Sequence, residues 1–303
     1  DLPISVGGMT VNRFCGSSMS SIHYAMGQIA IGAGEVFVCA GVESMSRVPM
    51  MGFNPLPNPE LAKKSAAYMS MGETAENVAT KYQISRADQE ALAVSSQQKA
   101  AAARDAGKLA DEIVPIQTKG GVVSEDGTIR GETTAEALAG LKPAFDAAGS
   151  VTAGTSSPLT DGASAVLVTT EEYARAHGLP ILARIKSVAI SGCAPETMGL
   201  GPILSSQKAL ERAGIAAGDL DVVELNEAFA SQALACIKDL DLDVTKVNID
   251  GGAIAIGHPL GATGARIVGK AASLLKREGG KYALASQCIG GGQGIATVLE
   301  SVE

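Results

Sequence analysis

The chain has 303 residues, with 24 Lys and Arg against 32 Asp and Glu, a formal net charge of −8 and no Trp. That length buries one large domain or two ordinary ones, and the acidic balance without any Lys/Arg-rich run argues against a nucleic-acid partner. No apolar run approaches the roughly 18 residues of a membrane span, and no signal peptide is visible. Cys15, Cys39, Cys193, Cys236 and Cys288 are odd in number and lack a C-x-x-C pair. They therefore suggest neither a disulfide framework nor a zinc site, and a reducing, cytoplasmic setting is expected.

In chain order, Met9 to Asn12 is short and β-prone and predicts a strand. Met19, Ile22, Met26 and Ile29 recur at helical spacing and predict a helix stopped by Gly32 and Gly34. "EVFVCAG", Glu35 to Gly41, is nearly continuous in apolar residues, the pattern of a buried parallel strand. From about Val48 the Pro- and Asn-rich "RVPMMGFNPLPNPE" breaks regular structure. Helices are expected at Thr74–Tyr82 and Ser85–Ala106, the second capped around Ser85 and Asp88, and loops over Lys119 to Thr134. Residues 48–157 thus form an insertion.

After it, strand and helix alternate: Asp161 to Leu179 gives one of each. Strands follow at Ile181–Ile190 and Asp221–Leu225, with helices at Ile203–Ala213, Glu227–Lys238 and Ala265–Lys276. Strands at Tyr282–Gln287 and Gly294–Glu300 end the chain. Such alternation predicts a layered α/β fold. A weak internal echo accompanies it. Cys15-Gly16-Ser17 precedes a helix and "VFVCAG" much as Gly261-Ala262-Thr263 precedes a helix and "YALASQ".

Four places could carry chemistry. Cys15 lies where a strand gives way to a helix, whose unpaired N–H groups and dipole favour a thiolate; a small buried thiol is the competing reading. His258, in the glycine-lined "GGAIAIGHPLGATG", could serve as base for a thiol or merely satisfy a turn. Cys288 opens "CIGGGQG", whose exposed backbone N–H groups could form an oxyanion hole or an inert hairpin. Asn226, at a strand end in "LNEAFASQ", could orient a water or cap the next helix. His23 and His177 look ordinary, and Cys39, Cys193 and Cys236 structural.

Together, "VNRFCGSSM", "GVESMSRVPM", "MGETAENVA", "VTAGTSSPLTDGASAVL", "NEAFASQ", "GGAIAIGHPLGATGARI" and "QCIGGGQGIA" resemble the thiolase family, in the family's order and over essentially the whole chain. Ser70 before Met71-Gly72, and "GCAPETMGLGPI", look more like the degradative 3-ketoacyl-CoA thiolases than the biosynthetic acetoacetyl-CoA enzymes. The resemblance implies a duplicated five-layer α-β-α-β-α fold with an inserted loop domain. Residues 1–47 and 158–179 would form the N-terminal half, 48–157 the loop domain and 180–303 the C-terminal half. The family carries further strands and helices ahead of the point where this sequence starts, so a preceding segment is expected.

Carried over by resemblance, the nucleophile falls on Cys15, the activating base on His258 and a second, acid/base cysteine on Cys288. One oxyanion hole would use Asn226 with a water and His258; the other, the N–H groups of Cys15 and Gly290. Met71, Arg130, Ser157 and Phe229 match the coenzyme A channel. The implied reaction cleaves 3-ketoacyl-CoA with CoA to acetyl-CoA and a shortened acyl-CoA, as in fatty-acid β-oxidation. Coenzyme A is a substrate there, and no metal or cofactor is expected. Alternatives are an acetoacetyl-CoA thiolase working in the condensation direction and a non-catalytic CoA-thioester-binding protein. A ketoacyl synthase is disfavoured by Cys288 and "CIGGGQG". A homodimer or tetramer, or a complex with a multifunctional β-oxidation subunit, is the implied assembly.

Overall fold

The computed structural model describes residues 2–302. The first helix, α1 (Ser17–Ala30), buries Met19, Ile22 and Ala25 on one face and ends at Gly32, whose φ of +72° a side chain would resist. It leads to β1 (Val36–Ser44). The insertion contains α2 (Pro59–Lys64), α3 (Met71–Tyr82) and α4 (Arg86–Asp105). Capping boxes start the last two, Ser70 with Glu73 and Ser85 with Asp88, satisfying N–H groups that a helix leaves open. A short hairpin, β2 (Ile116–Thr118) and β3 (Gly121–Val123), and the helix α5 (Ala135–Ala139) complete it.

The chain returns through β4 (Asp161–Thr169), α6 (Glu171–Ala176) and β5 (Arg184–Gly192). There follow α7 (Gly201–Ala213), β6 (Val222–Leu225), α8 (Ala230–Asp239) and α9 (Ala253–Ile256). The last elements are α10 (Leu260–Glu278), β7 (Tyr282–Ile289) and β8 (Gln293–Glu300).

Two sheets form the frame. One pairs β1 with β4, antiparallel; the other has the order β5-β8-β7-β6, with β6 and β7 parallel and the remaining pairs antiparallel. Between them lie α1 and α10, whose Met19, Ile22, Ile267, Leu274 and Leu275 share one core with Cys39 and with Ile289, Ile295 and Leu299. The opposite face of the larger sheet, through Leu284, Ala296 and Val298, meets Ala209 and Leu210 of α7 and Ala233 and Cys236 of α8. Odd and even residues of β7 and β8 therefore enter different cores, which requires the continuous apolar runs seen there. Where α1 crosses α10 the backbones nearly touch. A Cβ on Gly264 would lie 2.3 Å from the Met19 nitrogen, and the Ala265 N–H donates to Ser18 Oγ at 2.8 Å.

Two expectations fail. Met9 to Asn12 forms no strand, because no extended neighbour among the described residues offers it a ladder. The run Glu35–Gly41 is not a buried parallel strand: β1 is antiparallel to β4, and alternate residues face outward exposed. Elsewhere the predicted helices and strands match to within a few residues, although the short α2, α5, α9 and the β2–β3 hairpin were not anticipated. The insertion packs closely on the C-terminal half. Gly251 admits Ala100 of α4, since a Cβ there would lie 2.6 Å from the Ala100 methyl. Lys270 of α10, itself buried, pairs with Glu112 of the insertion and with Asp250.

Candidate active site

Cys15 sits just before α1, only 8% exposed. Its carbonyl accepts a hydrogen bond from Gln287 Nε2 on β7, and its thiol lies by its own N–H and that of Gly290. Those two N–H groups favour the thiolate, but burial outweighs them and, with the nearby Glu43 charge, pushes the thiol up to about 11. The helix terminus thus does not make a resting thiolate. The expectation drawn from position fails because desolvation of a charge exceeds what partial charges return.

Cys288 is the last residue but one of β7, its side chain among Ala75, Val151, Met198 and Phe229 with Met71 at the edge. Burial pushes its thiol well up, and the proximity of Cys15 adds to this. Asn226 follows β6 directly; its N–H donates to Ser286 O at 2.9 Å, so it extends the parallel ladder beside Cys288. The cap of α8 is Phe229, without a side-chain bond, so Asn226 does not cap that helix. Its Nδ2 stands 3.5 Å from each ring nitrogen of His258, and its buried Oδ1 has no hydrogen-bond partner among the described residues.

His258 is buried at the entry to α10. Its main chain is fixed by a hydrogen bond to Thr160 Oγ1 at 3.1 Å, and its Nδ1 lies 2.6 Å from the Thr263 hydroxyl. Gly257 before it has φ +99°, and a Cβ there would strike Thr160. Burial, then the charge of Arg266, holds the imidazole down at about 3, so it is neutral at ordinary pH, the form from which a general base starts. Among the described residues no hydrogen bond joins His258 to the Cys15 thiol. Cys15 adjoins Cys288 and the Gly290 N–H, and His258 adjoins Asn226, which stands at the end of β6 beside the strand that carries Cys288.

The remaining predicted residues are placed unequally. Met71 opens α3 beside Gly290, and Phe229 stacks edge-on against Phe145 with ring centroids 5.8 Å apart. Ser157 is joined to this group through the Ala228 carbonyl, which accepts from its N–H and hydroxyl at 3.0 and 3.1 Å. Arg130 stands apart, exposed on the insertion, and is tied to α4 by its N–H donating to Gln97 Oε1 at 2.7 Å.

Four supporting residues escaped the sequence reading. Gln287 holds the Cys15 carbonyl and Thr263 the imidazole; neither lies in a pattern that advertises the contact. Glu43 accepts the Gly261 N–H at 3.0 Å. Glu227, fully buried, accepts from Ser96 Oγ, Asn248 Nδ2 and Ile254 N at 2.7, 2.7 and 3.2 Å. It thereby ties the end of β6, the insertion and the segment leading to His258 together. The signal for Glu227 was its place next to Asn226 and two residues before the phenylalanine. A buried thiol with N–H donors beside it, a second buried thiol and a neutral imidazole are the parts of acyl transfer through a thioester.

Residues 1–172 match the thiolase N-terminal domain and residues 179–301 the thiolase C-terminal domain. The 3-ketoacyl-CoA thiolases of Shewanella denitrificans and Shewanella oneidensis are 51% and 50% identical to the chain, each over 99% of it and 80% of their own length. Human mitochondrial 3-ketoacyl-CoA thiolase superposes with a TM-score of 0.91 at 42% identity, over 99% of this chain and 80% of that one. Its complex with CoA gives 0.90 at the same identity. The two family domains together span nearly all of the sequence, and close relatives and the fold agree with them: the chain belongs to the thiolase family.

Proposed function

We propose that this protein is a 3-ketoacyl-CoA thiolase, cleaving 3-ketoacyl-CoA with CoA to acetyl-CoA and a shortened acyl-CoA. The observation that carries the proposal is the convergence of two buried thiols, Cys15 and Cys288, with the neutral His258 at adjacent strand ends, in a chain so similar to proteins of that name.

In the free protein thiol and imidazole are both neutral, so the proton leaves Cys15 as its sulfur attacks. His258 takes that proton, and the sulfur adds to the 3-keto carbon. The oxygen of the adduct gains charge beside the N–H groups of Cys15 and Gly290, where preorganised donors are each worth about a hundredfold to a thousandfold in rate. Carbon–carbon cleavage releases the acetyl-CoA enolate; Asn226 and His258 stabilise its oxygen, and Cys288 protonates its carbon. The Cys288 thiolate recovers the proton held by His258. The thiol of free CoA then attacks the acyl-Cys15 thioester and gives its proton to the neutral His258, and that proton returns to the Cys15 sulfur as the adduct collapses. Met71, Ser157 and Phe229 line the CoA approach in this scheme, and Arg130 would meet CoA from the exposed surface of the insertion. No resident cofactor takes part. Run backwards, the same groups perform the condensation of two acyl-CoA molecules.

Assembly as a homodimer or tetramer, or with a multifunctional β-oxidation subunit, belongs to the same proposal, as does a cytoplasmic setting suggested by five unpaired cysteines. Among the described residues no helix is long and apolar enough to cross a membrane.

The deciding experiment is thiolysis of 3-ketoacyl-CoA with mass analysis of the intermediate. The acyl group is expected on Cys15, and Cys15→Ala should lower turnover at least about a thousandfold. Near-normal turnover by Cys15→Ala would falsify the scheme. Alkylation of Cys15 by iodoacetamide should keep rising with pH toward about 11, without an inflection in the ordinary histidine range.

A further inference from the structure

We infer that Phe14 sets the acyl-chain preference of the site, its ring forming the wall against which the first carbons of the Cys15-bound acyl group lie. Phe14 has φ +48°, in the left-handed region that a bulky side chain rarely occupies. Such outliers persist where the surroundings over-determine them and concentrate at functional sites. Here the surroundings are on view. The Phe14 N–H donates to Asn12 Oδ1 at 2.9 Å, and its carbonyl accepts from Ser17 Oγ and Ser17 N at 2.7 and 3.1 Å. Ser17 Oγ in turn accepts the Arg13 N–H at 2.9 Å. This turn immediately precedes the nucleophile and fixes the direction of the ring.

The ring is aimed at the reacting centre. A methyl group placed on Gly290 would lie 3.6 Å from the Met71 sulfur and 3.9 Å from Phe14 Cδ2. Gly290 is thus the floor of a slot walled by Phe14 and Met71, and its N–H is one of the two beside Cys15 Sγ. An acyl group on that sulfur, with its oxygen at the N–H, has to pass its first carbons along one of the two walls. Met71 is already half-buried against the cluster around Cys288. Phe14 is 59% exposed, so its face gains most from being covered by an alkyl chain. The pantetheine arm of CoA, with its amides, would gain less from that apolar ring. Each methylene covered is worth roughly fourfold in affinity.

The inference rests on the thiolase reaction proposed above, and the experiment keeps the two apart. We would measure kcat and KM for a series of 3-ketoacyl-CoA substrates from short to long chains, with the full chain and with Phe14→Ala, Phe14→Gly and Phe14→Leu. Phe14→Ala is expected to lower the long-to-short ratio of kcat/KM about tenfold, mainly through KM, while Phe14→Leu keeps most of the ratio. Phe14→Gly, free of the backbone strain, should show the same lost preference as Phe14→Ala. An equal fall at every chain length, or full recovery in Phe14→Gly, would assign Phe14 to the backbone turn alone and overturn the inference. A wild-type chain inert toward every length would sink the reaction and the inference with it. An active wild type whose ratio is unmoved by Phe14→Ala sinks only the role of Phe14.

Discussion

β1 reads "VFVCAGVES" and β7 reads "YALASQCI", two runs of apolar and small residues, yet their surroundings differ. Every residue of β7 after Tyr282 is buried, with α10 on one face and α7 and α8 on the other. In β1 only the face turned toward α1 and α10 is covered. The other face shows Val38 at 59% exposure, Val42 at 74% and, across the ladder on β4, Leu167 at 52%, joined by Ala40, Ala163 and Ala165. A two-stranded antiparallel sheet with one wet face ordinarily alternates apolar with polar; this one alternates apolar with apolar. Burial therefore depends on the layer that covers a strand as much as on the strand. An apolar face this continuous marks a surface that gains from being covered.

The sharpest way to break this contrast is to place a charge in each sheet. Val298→Asp puts a carboxylate into the filled core between β8 and the helices α7 and α8 and is expected to cost more than about 4 kcal/mol, enough to unfold the chain at ordinary temperature. Val38→Asp, on the open face of β1, should stay within about 0.5 kcal/mol. Urea unfolding midpoints compare the two directly. Comparable losses would mean that the outer face of β1 is covered in solution, and a loss for Val38→Asp that grows with protein concentration would point to a second copy.

Covered faces of the two sheets should behave alike, the α7 side of the larger sheet and the α10 side of the smaller. A Cβ on Gly294 of β8 would lie 1.9 Å from the Gly201 carbonyl oxygen, and one on Gly41 of β1 would lie 2.1 Å from the Gly261 carbonyl oxygen. Both clashes are with backbone, so Gly294→Ala and Gly41→Ala should each cost about 1–3 kcal/mol in unfolding experiments. Gly41→Ala also presses on the segment just after His258, so its turnover should fall further than that of Gly294→Ala. A silent Gly41→Ala would show the inner face of the smaller sheet to be looser than its geometry implies.

Much of this was legible in the sequence for a physical reason. Periodicity reports which residues share a face, so α1 followed from Met19 and Ile22, and the start of α4 from Ser85. The motifs around Cys15, Asn226, His258 and Cys288 pointed to the candidate site through family resemblance. What periodicity does not report is whether a layer exists opposite a face, and β1 was misread for that reason. Met9 to Asn12 failed similarly, since β-propensity without a partner strand makes no ladder. The Cys15 thiol was misjudged because a helix terminus is local and visible, whereas desolvation is the sum of everything packed around the sulfur. Gln287, reaching from β7 to the Cys15 carbonyl, joins residues far apart in the chain and leaves no local trace.

The two sheets also hold carboxylates that should respond oppositely to pH. Glu224 of β6 is fully buried, and burial pushes it up to about 8 against the opposing charges of Arg266 and Lys270. Unfolded, it titrates near the ordinary 4.5. Between those values the folded chain holds a proton that the unfolded chain has released, so stability falls as pH rises toward about 8. Glu224→Gln should remove that fall, and melting curves across this range would show wild type and variant diverging as pH increases.

Asp161, at the start of β4, gives the smaller and opposite effect. It accepts the Ser46 hydroxyl and the Ser46 N–H, the latter at 2.8 Å, and the hydroxyl bond foremost holds its carboxyl below the ordinary 3.8. Its contribution is therefore present at neutral pH and is lost as pH falls through the lowered value. Because the side chain is solvent-exposed, the gain is slight. Asp161→Asn should lower the melting temperature a little at neutral pH and make no difference in acid. A penalty that persists undiminished in acid would show that the fit of the side chain, rather than its charge, is what joins β4 to the turn at Ser46.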